Sequence, residues 1–175
     1  MFKTILAAVD GSRHGDLVAQ KAGELAGLCG ARLQCVHVAD PGAAKDDLEA
    51  LATTEHLEPP DIGARHPGIA RVPGWFDDAL SDVGGGRSLR QALNSLGQQV
   101  LERAAFKARQ AGAQTVTWSL EEGDPASRLL EVAERENADL IVLGSRGLGR
   151  IKEILLGSTS HKVTMMAGCP CLIVK

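Results

Sequence analysis

The sequence predicts an α/β fold: a doubly wound, mainly parallel five-stranded sheet with helices on both faces. Short apolar runs alternate with helical periodicities along the chain, the order expected of strand–helix–strand units. The runs Ile5-Leu6-Ala7-Ala8-Val9 and Leu140-Ile141-Val142-Leu143 are continuously apolar, as strands covered on both faces must be. Right-handed crossovers wind such strands into a sheet with a switch point, where ligands bind at the strand carboxyl ends. At 175 residues one domain, 1–175, is expected, with a core of ordinary size.

The first strand, about 4–9, ends at Asp10-Gly11-Ser12. Leu17, Val18, Ala22, Leu25, Ala26 and Cys29 then recur at helical spacing from about 14 to 29, and Gly30 is a natural stop. Strand two covers about 33–38. Residues 41–87 differ in character, holding Pro41, Pro59, Pro60, Pro67, Pro73 and the run Gly84-Gly85-Gly86, with only 46–52 helical in pattern. This reads as a long variable insertion, a lid or a disordered segment, with Trp75-Phe76 favouring one that docks over the site or on a partner subunit, and His56, Asp61 and His66 as solvated loop residues. Order returns at Ser88-Leu89-Arg90-Gln91, a capping-box pattern, followed by a stripe of Leu89, Leu93, Leu96, Val100, Ala104 and Ala108. Strand three is expected at about 115–120. Gly123-Asp124-Pro125 supplies an N-cap and a proline for the first helical position of the next helix. Strand four follows Ala138-Asp139, the last helix covers 158–167, and Leu172-Ile173-Val174 closes the sheet.

Composition removes several function classes. A net charge of −3 with 3% aromatic residues and no Tyr does not suit a nucleic-acid surface. No apolar run approaches the roughly 20 residues of a membrane span. The chain opens directly into a strand without a signal-peptide pattern, so the expected location is cytoplasmic. Of the four cysteines, Cys29 and Cys35 read as small hydrophobes, and Cys169-Pro170-Cys171 lacks metal-site spacing.

The stretch with chemical content runs from Gly144-Ser145-Arg146-Gly147 to Gly157-Ser158-Thr159-Ser160. Its glycines permit positive φ and close ligand approach. Ser158 reads as the N-cap of a helix whose free N–H groups suit an anion, phosphate above all. Arg146, Arg150 and Lys152 add positive charge. A glycine-rich turn followed by an ordinary cap is the alternative. GxxxxGK[ST] is absent, and Asp10-Gly11-Ser12-Arg13-His14-Gly15 does not fit GxGxxG. Asp10, at the end of a buried strand, points into the ligand crevice or serves its own turn. If strand one neighbours strand four, Asp10 and Gly144 face each other. His37 reads as a strand histidine bonded within the fold rather than a base. Neither His161 nor Glu153 is a compelling general base.

These residues resemble the universal stress protein family over nearly the whole chain apart from about 41–87. The family's nucleotide-binding pattern of Gly, two residues, Gly, nine residues, Gly, then Ser or Thr is matched by Gly144, Gly147 and Gly157-Ser158. Asp10-Gly11-Ser12, Gly123-Asp124-Pro125-Ala126, Ala138-Asp139-Leu140-Ile141-Val142 and Cys169-Pro170-Cys171-Leu172-Ile173-Val174 look similar too. The resemblance implies a Rossmann-like fold of the adenine nucleotide alpha hydrolase-like kind that binds ATP or another adenine nucleotide (ADP, AMP), with Mg2+ or Mn2+ held through phosphate and water oxygens. By the same resemblance Asp10 contacts the nucleoside end and Val38 lines the adenine pocket. Leu143, Gly144, Arg146 and Gly147 track ribose and phosphates, and Gly157, Ser158 and Thr159 hold phosphate oxygens. It also implies a homodimer through the C-terminal strand. The leading expectation is a stress-response regulator that binds ATP with slow or no turnover. A slow ATPase or autophosphorylating enzyme is one alternative, and a dimeric scaffold without nucleotide is another.

Overall fold

The computed structural model describes residues 1–40, 86–145 and 156–175. Within them the elements run β1 Thr4–Ala8, α1 Arg13–Cys29, β2 Arg32–Ala39, α2 Gly86–Gln110, β3 Thr115–Glu122, α3 Pro125–Arg135, β4 Leu140–Gly144, α4 Ser158–Met166 and β5 Cys171–Val174. The expected helix at 46–52 and the segment around Trp75-Phe76, His56, Asp61 and His66 lie outside the described residues.

The five strands form one parallel sheet in the order β3-β2-β1-β4-β5. The chain winds outward from β1 to β3, then crosses back to place β4 on the other side of β1, which makes the β1–β4 boundary the switch point. Strand alternation sorts the side chains into two cores. Ile5, Ala7, Val9, Leu33, Cys35, Leu140 and Val142 meet Val18, Ala22 and Ala26 of α1 and Val100, Leu101, Ala104 and Ala108 of α2. On the opposite face Leu6, Val36, Ile141 and Leu143 meet Ala126, Leu129, Val132 and Ala133 of α3 and Val163 of α4. Leu101 and Ile141 are 0% exposed, and truncating either to Ala costs about 2–5 kcal/mol by transfer and cavity formation. Cys35 belongs to this core, and burial pushes its thiol up to about 12.

Local chemistry sets the element ends. Ser12 caps α1, accepting from the Gly15 N–H, and Gly30 ends it in the left-handed conformation at φ 63°. Asp124 caps α3 and Pro125 occupies its first turn, as expected. Two ends differ from the sequence reading. The described part of α2 already includes Gly86, so Ser88 falls within the helix. The N-cap of α4 is Gly157, and Ser158 is already the first helical residue. No helix among the described residues is long and apolar enough to cross a membrane.

Candidate functional site

The β1–β4 pairing aligns Ile5 with Leu140, Leu6 with Ile141 and Ala7 with Val142. Asp10 and Gly144 therefore leave the sheet at the same end on adjacent strands, the juxtaposition for which β1 had to neighbour β4. Turn chemistry shapes the first side of this crevice. Gly11 takes φ 82°, which favours glycine, and the chain doubles back so that Ser12 faces the Asp10 carboxylate. Asp10 Oδ1 accepts from the Ser12 N–H at 3.0 Å and from its hydroxyl at 2.6 Å. The same hydroxyl accepts from the Gly15 N–H at 3.1 Å. A Cβ on Gly15 would stand 2.6 Å from Asp10 Oδ1, so only glycine lets the first turn of α1 come this close. Asp10 is thus a turn-forming residue through one oxygen, while Oδ2 has no hydrogen bond among the described residues.

The second side is built by β4, β5 and α4. The Ser145 N–H donates to the Val174 carbonyl at 2.7 Å, the Gly157 N–H donates to the Ser145 carbonyl at 2.8 Å, and the His161 N–H donates to the Gly157 carbonyl at 2.8 Å. The Ser160 hydroxyl donates to the Gly144 carbonyl at 2.6 Å. These bonds bring both ends of the 146–156 stretch together on the sheet. Gly157 has extended cap geometry, φ −65° and ψ 158°, close to the −73° and 168° of Ser12, yet no side chain among the described residues caps α4. The first N–H groups of α4 therefore keep the donor character and partial positive charge of an uncapped helix start.

The remaining site residues fall as follows. Ser158 is exposed and Thr159 half-buried in the first turn of α4. Leu143, 2% exposed, packs in the α3–α4 core, leaving only its backbone near the crevice. Val38 is half-buried on that same sheet face, at the end of β2. Arg146 and Gly147 lie outside the described residues, as do Arg150, Lys152 and Glu153. His37 is bonded within the fold, with Nδ1 2.8 Å from the Val9 carbonyl. Burial pushes its pKa down, against smaller opposing effects of that bond and of Asp10. His161 is exposed on α4.

Three residues, Gly15, Lys162 and Arg103, escaped the sequence reading, and so did the bond made by Ser160. Gly15 follows Ser12 by one helical turn, a spacing that signals a tight approach only once the Asp10 turn is known. Ser160 sits beside the recognised Ser158-Thr159 pair, but its bond to Gly144 spans two elements. Lys162 Nζ lies 2.8 Å from Asp124 Oδ1, joining α4 to the cap of α3. That bond, with those from Ser127, holds the Asp124 carboxyl down at about 2. Arg103 Nη2 donates to the Gly11 carbonyl at 2.7 Å from α2, a contact across 92 residues of sequence. Among the described residues no cluster of three or more His, Cys, Asp or Glu side chains is placed to hold a metal ion.

Comparison with known proteins supplies the relationship. Residues 1–175 match the Universal stress protein family. Universal stress protein YxiE of Bacillus subtilis (strain 168) is 35% identical over 175 residues, covering 100% of both chains. A crystal structure of a universal stress protein in complex with cAMP superposes with a TM-score of 0.60 at 23% identity, over 99% of this chain and 96% of its own. The universal stress protein from Archaeoglobus fulgidus in complex with dAMP gives 0.57 at 20% identity, over 100% and 98%. At these identities the structural likeness speaks for the fold, and the whole-chain match together with the full-length relative speaks for descent: the chain belongs to the universal stress protein family.

Proposed function

We propose that this chain is an adenine-nucleotide binding regulator that takes ATP at the carboxyl ends of β1 and β4. The observation that carries the reading is the uncapped start of α4 at Gly157, set on the sheet beside the Asp10 turn. An uncapped helix start suits phosphate oxygens, and Gly144 and Gly157 present backbone without a Cβ in the way. Asp10 offers Oδ2 to nucleoside hydroxyls, since only Oδ1 is used by its own turn. Gly144, Gly147, Gly157, Ser158 and Thr159 would line the ribose and phosphates, with Arg146 adding charge, Leu143 backbone and Val38 an apolar wall. The complexes of relatives with cAMP and dAMP agree with an adenine nucleotide as the ligand class.

A magnesium or manganese ion fits this reading as a companion of the phosphates, its remaining sites filled by water rather than a protein cage. It would neutralise phosphate charge. The protein acts in the cytoplasm as a homodimer joined at the edge strand β5, where Leu172 leaves apolar surface exposed. Turnover is slow or absent, since His161, exposed one turn into α4, is not a compelling general base.

Titration calorimetry of nucleotide-stripped protein with ATP and magnesium tests the reading. Micromolar binding is expected in the wild type, markedly weakened but still measurable in Asp10→Ala and lost in Gly144→Val, with circular dichroism unchanged. Folded wild type that takes up no ATP would leave a dimeric scaffold in place of a nucleotide receptor. Phosphate release no faster than in Gly157→Val would dispose of the ATPase alternative.

A further inference from the structure

We infer that Arg103 of α2 is a positioning residue for the Asp10 carboxylate, acting through the Gly11–Ser12 peptide. A trans peptide points its carbonyl and its N–H in opposite directions, so holding one end aims the other. The carbonyl of this peptide accepts from Arg103 Nη2 at 2.7 Å, and its N–H donates to Asp10 Oδ1 at 3.0 Å. Arg103 does not reach this carbonyl as a loose chain. Its Nε stands 3.1 Å from Asp16 Oδ1 as an ion pair without hydrogen-bond geometry, and the other oxygen of Asp16 takes Lys107 Nζ at 2.9 Å. The guanidinium, with a side chain 20% exposed, therefore spans two partners at once, Asp16 on α1 and the turn ahead of it.

The planar guanidinium sets its Nη2–H on the Gly11 carbonyl while its charge stays beside Asp16, an arrangement the single ammonium of a lysine does not reproduce. The turn needs such a hold. Gly11 sits at φ 82°, where glycine has a wide conformational choice, and without an external partner its peptide is free to rotate. Rotation would withdraw the Ser12 N–H from Oδ1 and release the carboxylate from the orientation that turns Oδ2 toward a ligand. His37 steadies the preceding part of the loop by its contact of 2.8 Å with the Val9 carbonyl. Arg103 and His37 thus grip carbonyls on either side of Asp10.

The inference deepens the adenine-nucleotide reading, and its affinity arm rests on that reading. Two measurements on the full chain test it. In Arg103→Met, amide hydrogen exchange at Ser12 should quicken about tenfold, the loss of one hydrogen bond, while α1 and α2 amides beyond the first turn are unchanged. Arg103→Lys should behave like Arg103→Met, since it keeps the charge and loses the planar guanidinium. Calorimetry should show ATP binding weakened about tenfold by Arg103→Met in the wild-type background and less than twofold in Asp10→Ala, the non-additivity of residues acting through one another. Unchanged Ser12 exchange would overturn the inference, and so would an equal loss of affinity in both backgrounds. Full retention by Arg103→Lys would reduce Arg103 to a point charge and overturn it as well. If stripped wild type binds no ATP, the nucleotide reading fails, and Ser12 exchange still decides whether Arg103 orients Asp10.

Discussion

The Gly157 N–H donates to the Ser145 carbonyl at 2.8 Å, so residues twelve apart by their numbers meet at the base of the 146–156 stretch. Because Ser145 in turn donates to the last residue of β5, Val174, the start of α4 is fixed to two strands before its own hydrogen bonds begin. Position 157 has cap geometry but no capping side chain, and this opposes stability to binding. Gly157→Asp should fold well, since φ −65° suits any L-residue, and its carboxylate would cap α4 and favour the helix dipole. The expected result is a gain of a few tenths to about 1 kcal/mol in thermal or chemical denaturation. The same carboxylate occupies the anion position, so ATP binding should weaken more than about tenfold in calorimetry. A variant both stabilised and fully competent for ATP would place the phosphates elsewhere.

At the opposite wall, Gly15→Ala probes the closeness of α1 to Asp10. The new methyl would stand 2.6 Å from Asp10 Oδ1 and 3.1 Å from Asp10 N. Something must shift, and overpacking of this kind costs about 1–3 kcal/mol. Because the displaced atom belongs to the carboxylate proposed to meet the nucleoside, affinity should fall along with stability on that reading. Ser12→Ala, which removes the cap of α1, should cost about 1 kcal/mol. Differential scanning calorimetry reads both: for a chain of this length 1 kcal/mol is about 2–4 °C. A Gly15→Ala melting point equal to wild type would show that the turn absorbs the methyl.

Much of this was legible in the sequence, and the boundary of legibility is physical. Continuous apolar runs at 5–9 and 140–143 announce strands covered on both faces, and Asp124-Pro125 announces a helix start, because these signals are local. The neighbouring of β1 and β4, posed only as the condition for Asp10 to face Gly144, holds in the sheet. Ser158 misled because serine is the better intrinsic cap. The α4 start is instead set one residue earlier by the Gly157 bond to Ser145, a tertiary contact that outweighs local preference. The grip of Arg103 on Gly11 leaves no mark in a helical stripe, since Arg103 looks like any polar residue beside Ala104.

His37 carries a pH dependence of stability. Burial lowers its pKa in the folded protein below the ordinary 6.5, so the unfolded chain takes up the proton first. The contribution is therefore complete above about pH 6.5 and is lost as the pH falls toward the folded value. His37→Asn should keep a donor for the Val9 carbonyl and remove the titration. The check is the urea midpoint at pH 7.5 and 5.5: the wild type should lose more stability than His37→Asn across that interval. Equal losses would mean that other groups carry the slope.

Asp124 separates a cap from an ion pair. Its carboxylate accepts from the Ser127 N–H at 3.0 Å as the cap of α3 and pairs with Lys162 Nζ at 2.8 Å, with a side chain 55% exposed. Exposure screens the pair, so Lys162→Met should cost no more than about 0.5 kcal/mol. Asp124→Ala loses the cap as well and should cost about 1 kcal/mol. Because Lys162 and Ser127 hold the carboxyl at about 2, below its ordinary 3.8, the contribution is present above pH 3.8 and is lost as the pH falls toward 2. Acid titration of stability should therefore be shallower in Asp124→Ala than in wild type over that interval. If Lys162→Met instead proved as costly as Asp124→Ala, the α3–α4 bridge would outweigh the cap in holding this corner of the fold.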